Sequence, residues 1–359
     1  MTDPQNRLPP DSDLPEDISL WRTLDAAANR AAEGLRVIED FVRYGQNDAF
    51  LTGELKSLRH ELDNALRQLD RRHCLQARDT FHDVGTTLSG QLEQARGTWS
   101  DLLTANFKRI QQALRSLEEH AKMAGAGEGA LFERLRYQTY SLEKMIAATV
   151  SASDTFPAVA VYVLIDGRTD ANEFRRLVEQ LLEASTDVIQ LRDKNLDDRT
   201  LLARAAMLVR LTRGTTTKAI INDRADIAKL ALADGAHVGQ EELTVQQVRG
   251  VLGVGKLVGV STHTMEQARQ AVRDGADYIG VGPTFPSRTK TFTQFAGLDL
   301  VRDVAAEFTL PAFAIGGIAL NNVSDVVSAG FKRVAVSGCV CTADAPGAVV
   351  RQLRVALEA

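Results

Sequence analysis

Gln190, Arg192 and Lys194 alternate through the string QLRDK, so in extended backbone their side chains leave the same face. Two cations and an amide converging on one place suit a diphosphate or a similarly dense anion. Asn222 and Asp223 close the next apolar run, and Gln240, Glu241 and Glu242 follow GAHVG. Carboxylates on neighbouring loops beside a cationic cluster point to Asp223 and Glu242 sharing a hard cation such as Mg2+, which takes oxygen ligands and the oxygens of bound phosphate. Taken alone, either carboxylate reads as a helix cap. A second anion site is expected where Gly316 and Gly317 in IGGI, and Ser337 and Gly338 in VSGC, present backbone N–H groups. Between the two sets lies a segment, 282–297, with two prolines, Ser287, Thr289 and Lys290. It suits a lid that closes over phosphates and excludes water.

Each string follows an apolar run, and the runs alternate with amphipathic stretches. VAVYVLI precedes 172–184, DVIQL precedes 198–213, KAIIN precedes 225–234 and GAHVG precedes 244–252. LVGV, YIGVG, AFAIG and RVAV then precede 264–274, 298–307, 320–329 and 344–358. About eight strand-helix units in roughly 200 residues is the rhythm of a parallel (β/α)8 TIM barrel, whose site is built from the loops at the strands' carboxyl ends. An open doubly wound sheet is the competitor, but VLIDGRTD after the first strand has no G-x-G-x-x-G.

The first half reads differently. Proline occurs at positions 4, 9, 10 and 15 and next at Pro157, leaving a long stretch free of helix breakers. Within it Leu24, Ala28, Ala31, Leu35, Ile38 and Val42 form one helical stripe. Leu103, Phe107, Ile110, Leu114, Leu117 and Ala121 repeat it 79 residues later, and LKSLRH (55–60) matches FERLRY (132–137) at an offset of 77. The pattern predicts a duplicated helical hairpin, packed as an approximately four-helix bundle. The polar connector HCLQARDTFHDVGTTLSG (73–90) suits either a plain loop or a ligand or partner loop.

At 359 residues, 44% hydrophobic and 25% charged, the chain is expected to form two globular domains. The expected boundaries are a flexible tail over 1–17, a helical bundle over 18–150, a linker over 151–157 and the barrel over 158–359. A net charge of −5 argues against broad nucleic-acid binding. Cys74, Cys339 and Cys341 read as reduced thiols of a cytoplasmic protein. The first residues lack a signal peptide's basic start and apolar stretch, and the run 157–165 is far shorter than the ~20 residues that span a bilayer. Whether the chain forms a homo-oligomer is left open.

Residues 158–359 resemble the thiamine phosphate synthase family, with QLRDK, INDR, HVGQEE, GVSTHT, DYIGVGPTFPSRTK and AIGGI in the family's order and spacing. The resemblance implies a transferase that condenses hydroxymethylpyrimidine diphosphate with a thiazole phosphate, with Mg2+, releasing diphosphate. It implies that Gln190, Arg192, Lys194, Asn222, Ser261 and Lys290 hold the pyrimidine diphosphate and that Asp223 and Glu242 bind the metal. Ser287, Thr289, Gly317, Ser337 and Gly338 would take the thiazole phosphate, and Arg192, Lys194 and Lys290 would stabilise the departing diphosphate. Glu242 stands where the family usually has aspartate, Ser287 and Ile165 where it has threonine, and Gly338 where serine is frequent. A related thiazole tautomerase shares the barrel. The helical half, with LRVIED and RD…DVG, resembles a domain fused ahead of such synthases in some bacteria. That resemblance implies a hydroxymethylpyrimidine phosphate kinase; a dimerisation scaffold is the alternative.

Overall fold

The first apolar stripe folds as α1 (Ile18–Asp40), whose start is closed by Asp17, the carboxylate accepting the Ser19 N–H at 3.0 Å. One wider helical turn, Phe41–Gln46, follows and ends at Asn47, which adopts a left-handed φ of 59°. Helices α2 (Ala49–Leu66), α3 (Arg71–Ala77), α4 (Trp99–Met123) and α5 (Gly129–Thr155) complete the helical part. A reciprocal Thr98–Asp101 capping box starts α4. The computed structural model describes residues 17–81, 83, 97–124, 129–286 and 296–359. By its internal contacts the chain divides into a helical unit, up to Asn47 and over Leu51–Glu143, and a barrel unit, Asp48–Phe50 with Lys144–Ala359.

Two features carry the expected duplication. The stripes of α1 and α4 are buried against each other along their length, with Ala28 the one half-exposed member. Each hairpin also buries one ion pair: Glu39 Oε2 accepts from Arg59 Nε at 3.0 Å, and Glu118 Oε2 accepts from Arg136 Nη2 at 3.0 Å. Glu118 is Glu39 shifted by 79 residues, and Arg136 is Arg59 shifted by 77. Each carboxylate also takes a cation from its own helix, Arg36 at 3.4 Å for Glu39 and Arg115 at 2.7 Å for Glu118, as a buried charge requires. The connector 73–90 begins inside α3, while His82 and residues 84–90 lie outside the described residues. Helix α5 continues to Thr155, into the segment expected to be a linker, because nothing before Pro157 interrupts it.

The second half is a closed parallel barrel. Its strands are β1 (Ala160–Ile165), β2 (Val188–Leu191), β3 (Lys218–Asn222), β4 (Gly235–Val238), β5 (Leu257–Thr262), β6 (Tyr278–Val281), β7 (Ala312–Ile315) and β8 (Arg333–Val336). Each pairs with the next, and β8 closes on β1 with Val161 opposite Val334. The helices between are α6 (Ala171–Glu183), α7 (Asp198–Thr212), α8 (Ala225–Ala231), α9 (Val245–Leu252), α10 (Met265–Asp274), α11 (Gly297–Glu307) and α12 (Val323–Ser328). After β8 come the four-residue α13 (Gly338–Cys341) and α14 (Pro346–Glu358). On α6, Phe174, Leu177, Val178 and Leu181 face the sheet, and burying each side chain is worth about 1.5–3 kcal/mol.

A repeated device sets the register at the amino ends of the strands. Asp187, Asp234 and Asp277, just before β2, β4 and β6, accept the N–H of Val161, Ala219 and Val258 at 2.8, 2.7 and 2.6 Å. Each returns its own N–H to the same residue's carbonyl. Below the strands Phe156 packs edge-on against Tyr278 and Phe313, closing this end of the core. Among the described residues no helix is long and apolar enough to cross a membrane. The three cysteines are free thiols.

Candidate active site

Gln190 does not stand at the mouth beside Arg192 and Lys194. It lies on β2 inside the barrel, 1% exposed, while the strand ends at Leu191 and the two cations follow it. Gln190 Nε2 donates to the Tyr162 hydroxyl at 2.7 Å, and the Tyr162 and Tyr278 hydroxyls are 3.0 Å apart. Tyr278 Oη lies 3.3 Å from His237 Nδ1, and His237 Nε2 lies 2.9 Å from Ser261 Oγ. Burial, and next the nearby Arg192, bring the His237 imidazole down to about 4, so the ring is neutral. Burial also raises both tyrosines, keeping their protons.

These states give the chain a direction. An amide NH2 only donates, so Tyr162 passes its proton to Tyr278 and Tyr278 passes its own to Nδ1. His237 then carries its proton on Nε2 and donates to Ser261, which leaves the serine proton over. At the other end Gln190 Oε1 is buried with no hydrogen-bond partner among the described residues. The floor of the barrel therefore offers an acceptor on Gln190 and, on Ser261, a hydroxyl that can donate and still accept.

Tyr162, His237 and Tyr278 are functional candidates that sequence reasoning missed. The cross-strand register sets Asn222, His237, Gly259 and Tyr278 side by side on β3 to β6. Gly259 makes the arrangement fit, because a Cβ there would lie 2.1 Å from Tyr278 Cζ and 2.5 Å from His237 Nδ1. A glycine in GVSTHT, beside strands with one polar-tipped residue each, was the available signal.

Above the floor, Lys194 Nζ lies 3.4 Å from Asp223 Oδ2 and 3.9 Å from Glu242 Oε1. Asp223 sits in the left-handed region, φ 59°, with its N–H on the His237 carbonyl at 2.8 Å. Backbone conformations of this kind cluster at functional sites. The loop bearing the cations is held by Asp193, whose carboxylate accepts the N–H groups of Gly167, Asn195 and Leu196 at 3.0, 2.9 and 3.2 Å. Buried Arg204 grips the Gly167 carbonyl at 2.8 Å, so the loops after β1 and β2 are one tied piece.

A divalent cation fits this donor set in a limited sense. Asp223 and Glu242 are hard oxygen ligands near enough to share one ammonium group. Among the described residues no three or more His, Cys, Asp or Glu gather into a cage. Such a pair matches Mg2+, which keeps waters and shares substrate phosphates, better than a metal that needs four protein ligands.

The second anion side is built on β7 and β8. Gly316 and Gly317 take φ values of 104° and 65°, and a Cβ on Gly317 would lie 2.5 Å from the Pro286 carbonyl oxygen. Asn322 holds this turn, donating to the Gly317 carbonyl at 2.9 Å and accepting the Ala319 N–H at 2.8 Å. Ser337 and Gly338 open α13, and a Cβ on Gly338 would meet nothing within 4 Å. The amino stem of the expected lid is pinned here: Thr284 and Phe285 donate backbone N–H groups to Ile315 and Gly316 at 2.9 and 3.0 Å. Ser287, Thr289 and Lys290 lie outside the described residues. His263 is a satisfied loop residue, its Nδ1 donating to the Gly282 carbonyl at 2.5 Å.

The closed parallel barrel, with its charged rim and glycine turns at the strands' carboxyl ends, defines an enzyme of the phosphate-handling barrel class. Residues 161–340 match the family described as thiamine monophosphate synthase, and residues 22–145 match the ThiD2 family. The thiamine-phosphate synthase of Rhodopirellula baltica is 43% identical over 352 residues, covering 96% of this chain and 94% of that one. That of Thermosynechococcus vestitus is 38% identical, covering 93% and 94%. Among solved structures, thiamine phosphate pyrophosphorylase from Pyrococcus furiosus matches with a TM-score of 0.50 and 28% identity, over 56% of this chain and 96% of that one. The chain belongs to the thiamine-phosphate synthase family and is a transferase of thiamine biosynthesis.

Proposed function

We propose that the barrel joins hydroxymethylpyrimidine diphosphate to a thiazole phosphate in a Mg2+-dependent reaction. The observation that carries this is the rim, where Lys194 Nζ lies 3.4 Å from Asp223 Oδ2 and 3.9 Å from Glu242 Oε1, above a floor of Gln190 and Ser261. An aminopyrimidine presents the matching pair, an amino group that donates and a ring nitrogen that accepts. Its diphosphate then rises to Arg192 and Lys194, with Asn222 at the same rim and Lys290 arriving from the 282–297 segment.

Asp223 and Glu242 would hold Mg2+, which would supply neutralising charge for the leaving group. Arg192, Lys194 and Lys290 stabilise the negative charge that grows as the methylene C–O bond breaks and its electron pair leaves with the diphosphate. The thiazole nitrogen lone pair then forms the new C–N bond, so no protein nucleophile is required. Gly317, Ser337 and Gly338, with Ser287 and Thr289, hold the thiazole phosphate on the opposite side. A tautomerase would have no use for the Lys194, Asp223 and Glu242 cluster.

The test is direct. Full-length protein incubated with the pyrimidine diphosphate, thiazole phosphate and Mg2+ yields thiamine phosphate and diphosphate in equal amounts. Well-folded protein that makes neither would end the synthase reading.

For the helical unit, the ThiD2 match over 22–145 supports a kinase acting on hydroxymethylpyrimidine monophosphate and so supplying the barrel's donor. The boundaries are read as a helical domain over 18–150 and a barrel domain over 158–359. Incubation of the whole chain with the monophosphate and ATP is expected to give the diphosphate and ADP. A monodisperse dimer without turnover would instead make the unit a scaffold.

A further inference from the structure

The two hairpins of the helical unit are not equivalent everywhere. A cavity of about 280 Å³ opens in the first, just below the roughly 300–1,000 Å³ of small-molecule sites. It lies where the duplication breaks down. Ala28 lines it, whereas the residue 79 positions later is the much larger Phe107, 2% exposed. Helix α3, which has no described counterpart in the second hairpin, contributes Arg71, Cys74 and Leu75 to the wall.

The polar lining has a readable charge balance. Asp25 is already spoken for, accepting from Arg78 Nε and Nη2 at 2.7 Å each. Asp63 faces Arg59 only loosely, at 3.9 Å. The guanidinium groups of Arg67 and Arg71 have no hydrogen-bond or ion-pair partner among the described residues, yet both line the cavity. The repeat replaces Asp25, Asn29 and Asp63 by Thr104, Lys108 and Tyr140, so this lining belongs to one hairpin alone. Two solvent-exposed arginines at the edge of a hollow with an apolar wall of Ala28, Ala32 and Leu66 can turn their guanidinium groups onto an anion attached to a flat body. Asn29 and Asp63 would then meet polar hydrogens on that body.

We infer that the cavity between α1, α2 and α3 binds a small phosphate monoester carrying a flat, amino-bearing ring, the phosphate on Arg67 and Arg71 and the ring against Ala28. The identity of the ring rests on the kinase reading of the helical unit; the anion site does not. The loop-forming residues after α2 are then the roof of a ligand site rather than a passive connection.

Hydrogen exchange on the full-length protein, with and without hydroxymethylpyrimidine monophosphate, tests it. Slower exchange across α3 and the facing turns of α1 and α2 is expected. Ala28→Phe, which fills the hollow with the other hairpin's residue, is expected to abolish that protection while keeping the wild-type melting temperature, and Arg67→Ala to weaken binding about ten-fold. Both are expected to leave condensation from the pyrimidine diphosphate unchanged. Protection confined to the barrel, or undiminished protection in Ala28→Phe, would overturn the site. If the monophosphate is phosphorylated with ATP at the same rate by Ala28→Phe, the kinase reading stands and the cavity assignment falls. Protection of the cavity without any turnover leaves the binding site and removes the kinase.

Discussion

The ammonium nitrogen of Lys194 lies 3.4 Å from Asp223 Oδ2, so the cation proposed for the diphosphate and the carboxylate proposed for the metal neutralise each other. Lys194 is 60% exposed, which makes this pair worth little as a stabilising contact. Its value lies in pre-positioning two groups that must part when an anion and its cation enter. Lys194→Ala is expected to lower kcat about 100-fold, the usual cost of losing one aimed charge in a transition state. Asp223→Asn should raise the Mg2+ concentration for half-maximal rate about ten-fold, one lost charge-assisted contact. Chelation of Mg2+ should stop condensation by the unaltered protein until Mg2+ is restored. Steady-state rates over a Mg2+ titration decide all three, and wild-type behaviour in either variant would contradict the site.

The buried His237 predicts a pH dependence of stability. Its folded-state pKa lies at about 4, below the ordinary 6.5. Below pH 6.5 the unfolded chain therefore takes up a proton that the fold refuses. Stability is full above that pH and falls toward pH 4 by about 1.4 kcal/mol per unit, roughly 3 kcal/mol in all. Urea midpoints of the barrel transition measured from pH 7.5 to 4.5 should decline in the wild type and flatten in His237→Gln. Parallel slopes would show that other groups control acid sensitivity.

Asp193 acts at one remove. It touches no reacting atom but holds the N–H groups of Gly167, Asn195 and Leu196, and so the path of the loop carrying Arg192 and Lys194. Asp193→Ala is expected to reduce kcat about ten- to 100-fold with KM for the thiazole phosphate little changed, because a misplaced cation costs more in the transition state than in binding. Asp193→Asn, which keeps an acceptor oxygen, should recover part of the loss. Equal losses in kcat and in melting temperature, without rescue, would point to a purely structural part.

Two glycines should behave oppositely. Gly259→Ala forces a methyl group against Tyr278 and His237 and should cost about 1–3 kcal/mol, read as a lower melting temperature with lower activity. Gly338→Ser adds a side chain to open space and should fold normally. Its hydroxyl gives the thiazole-phosphate side one more donor, so KM for that substrate should hold or fall. A destabilised Gly338→Ser protein would show that the turn after β8 is tighter than its geometry indicates.

Much of the barrel was legible because strands buried on both faces read as unbroken apolar runs, and rim residues such as Lys194 and Asp223 must follow them. The floor was not. Tyr162, His237 and Tyr278 sit inside those runs, where an aromatic or a histidine is indistinguishable from packing until the register places them side by side. The placement of Gln190 one layer below Arg192 depended on where β2 ends, a boundary that alternation alone does not set. In the helical unit the repeat announced the hairpins. It hid the cavity, because Ala28 fits the stripe as well as Phe107 does and only the packed structure shows what the smaller side chain leaves empty.

The row of hydrogen bonds from Gln190 to Ser261 is continuous, so the orientation of the Gln190 amide sets the direction of every proton along it. A pyrimidine whose amino group has been hydrolysed to a carbonyl would set lone pair against lone pair at Gln190 Oε1, whereas Ser261, with a rotatable proton and a second lone pair, can meet either a donor or an acceptor. If the floor receives an aminopyrimidine as proposed, selection among rings falls to Gln190 and Ser261, apart from the charged rim that would hold the diphosphate.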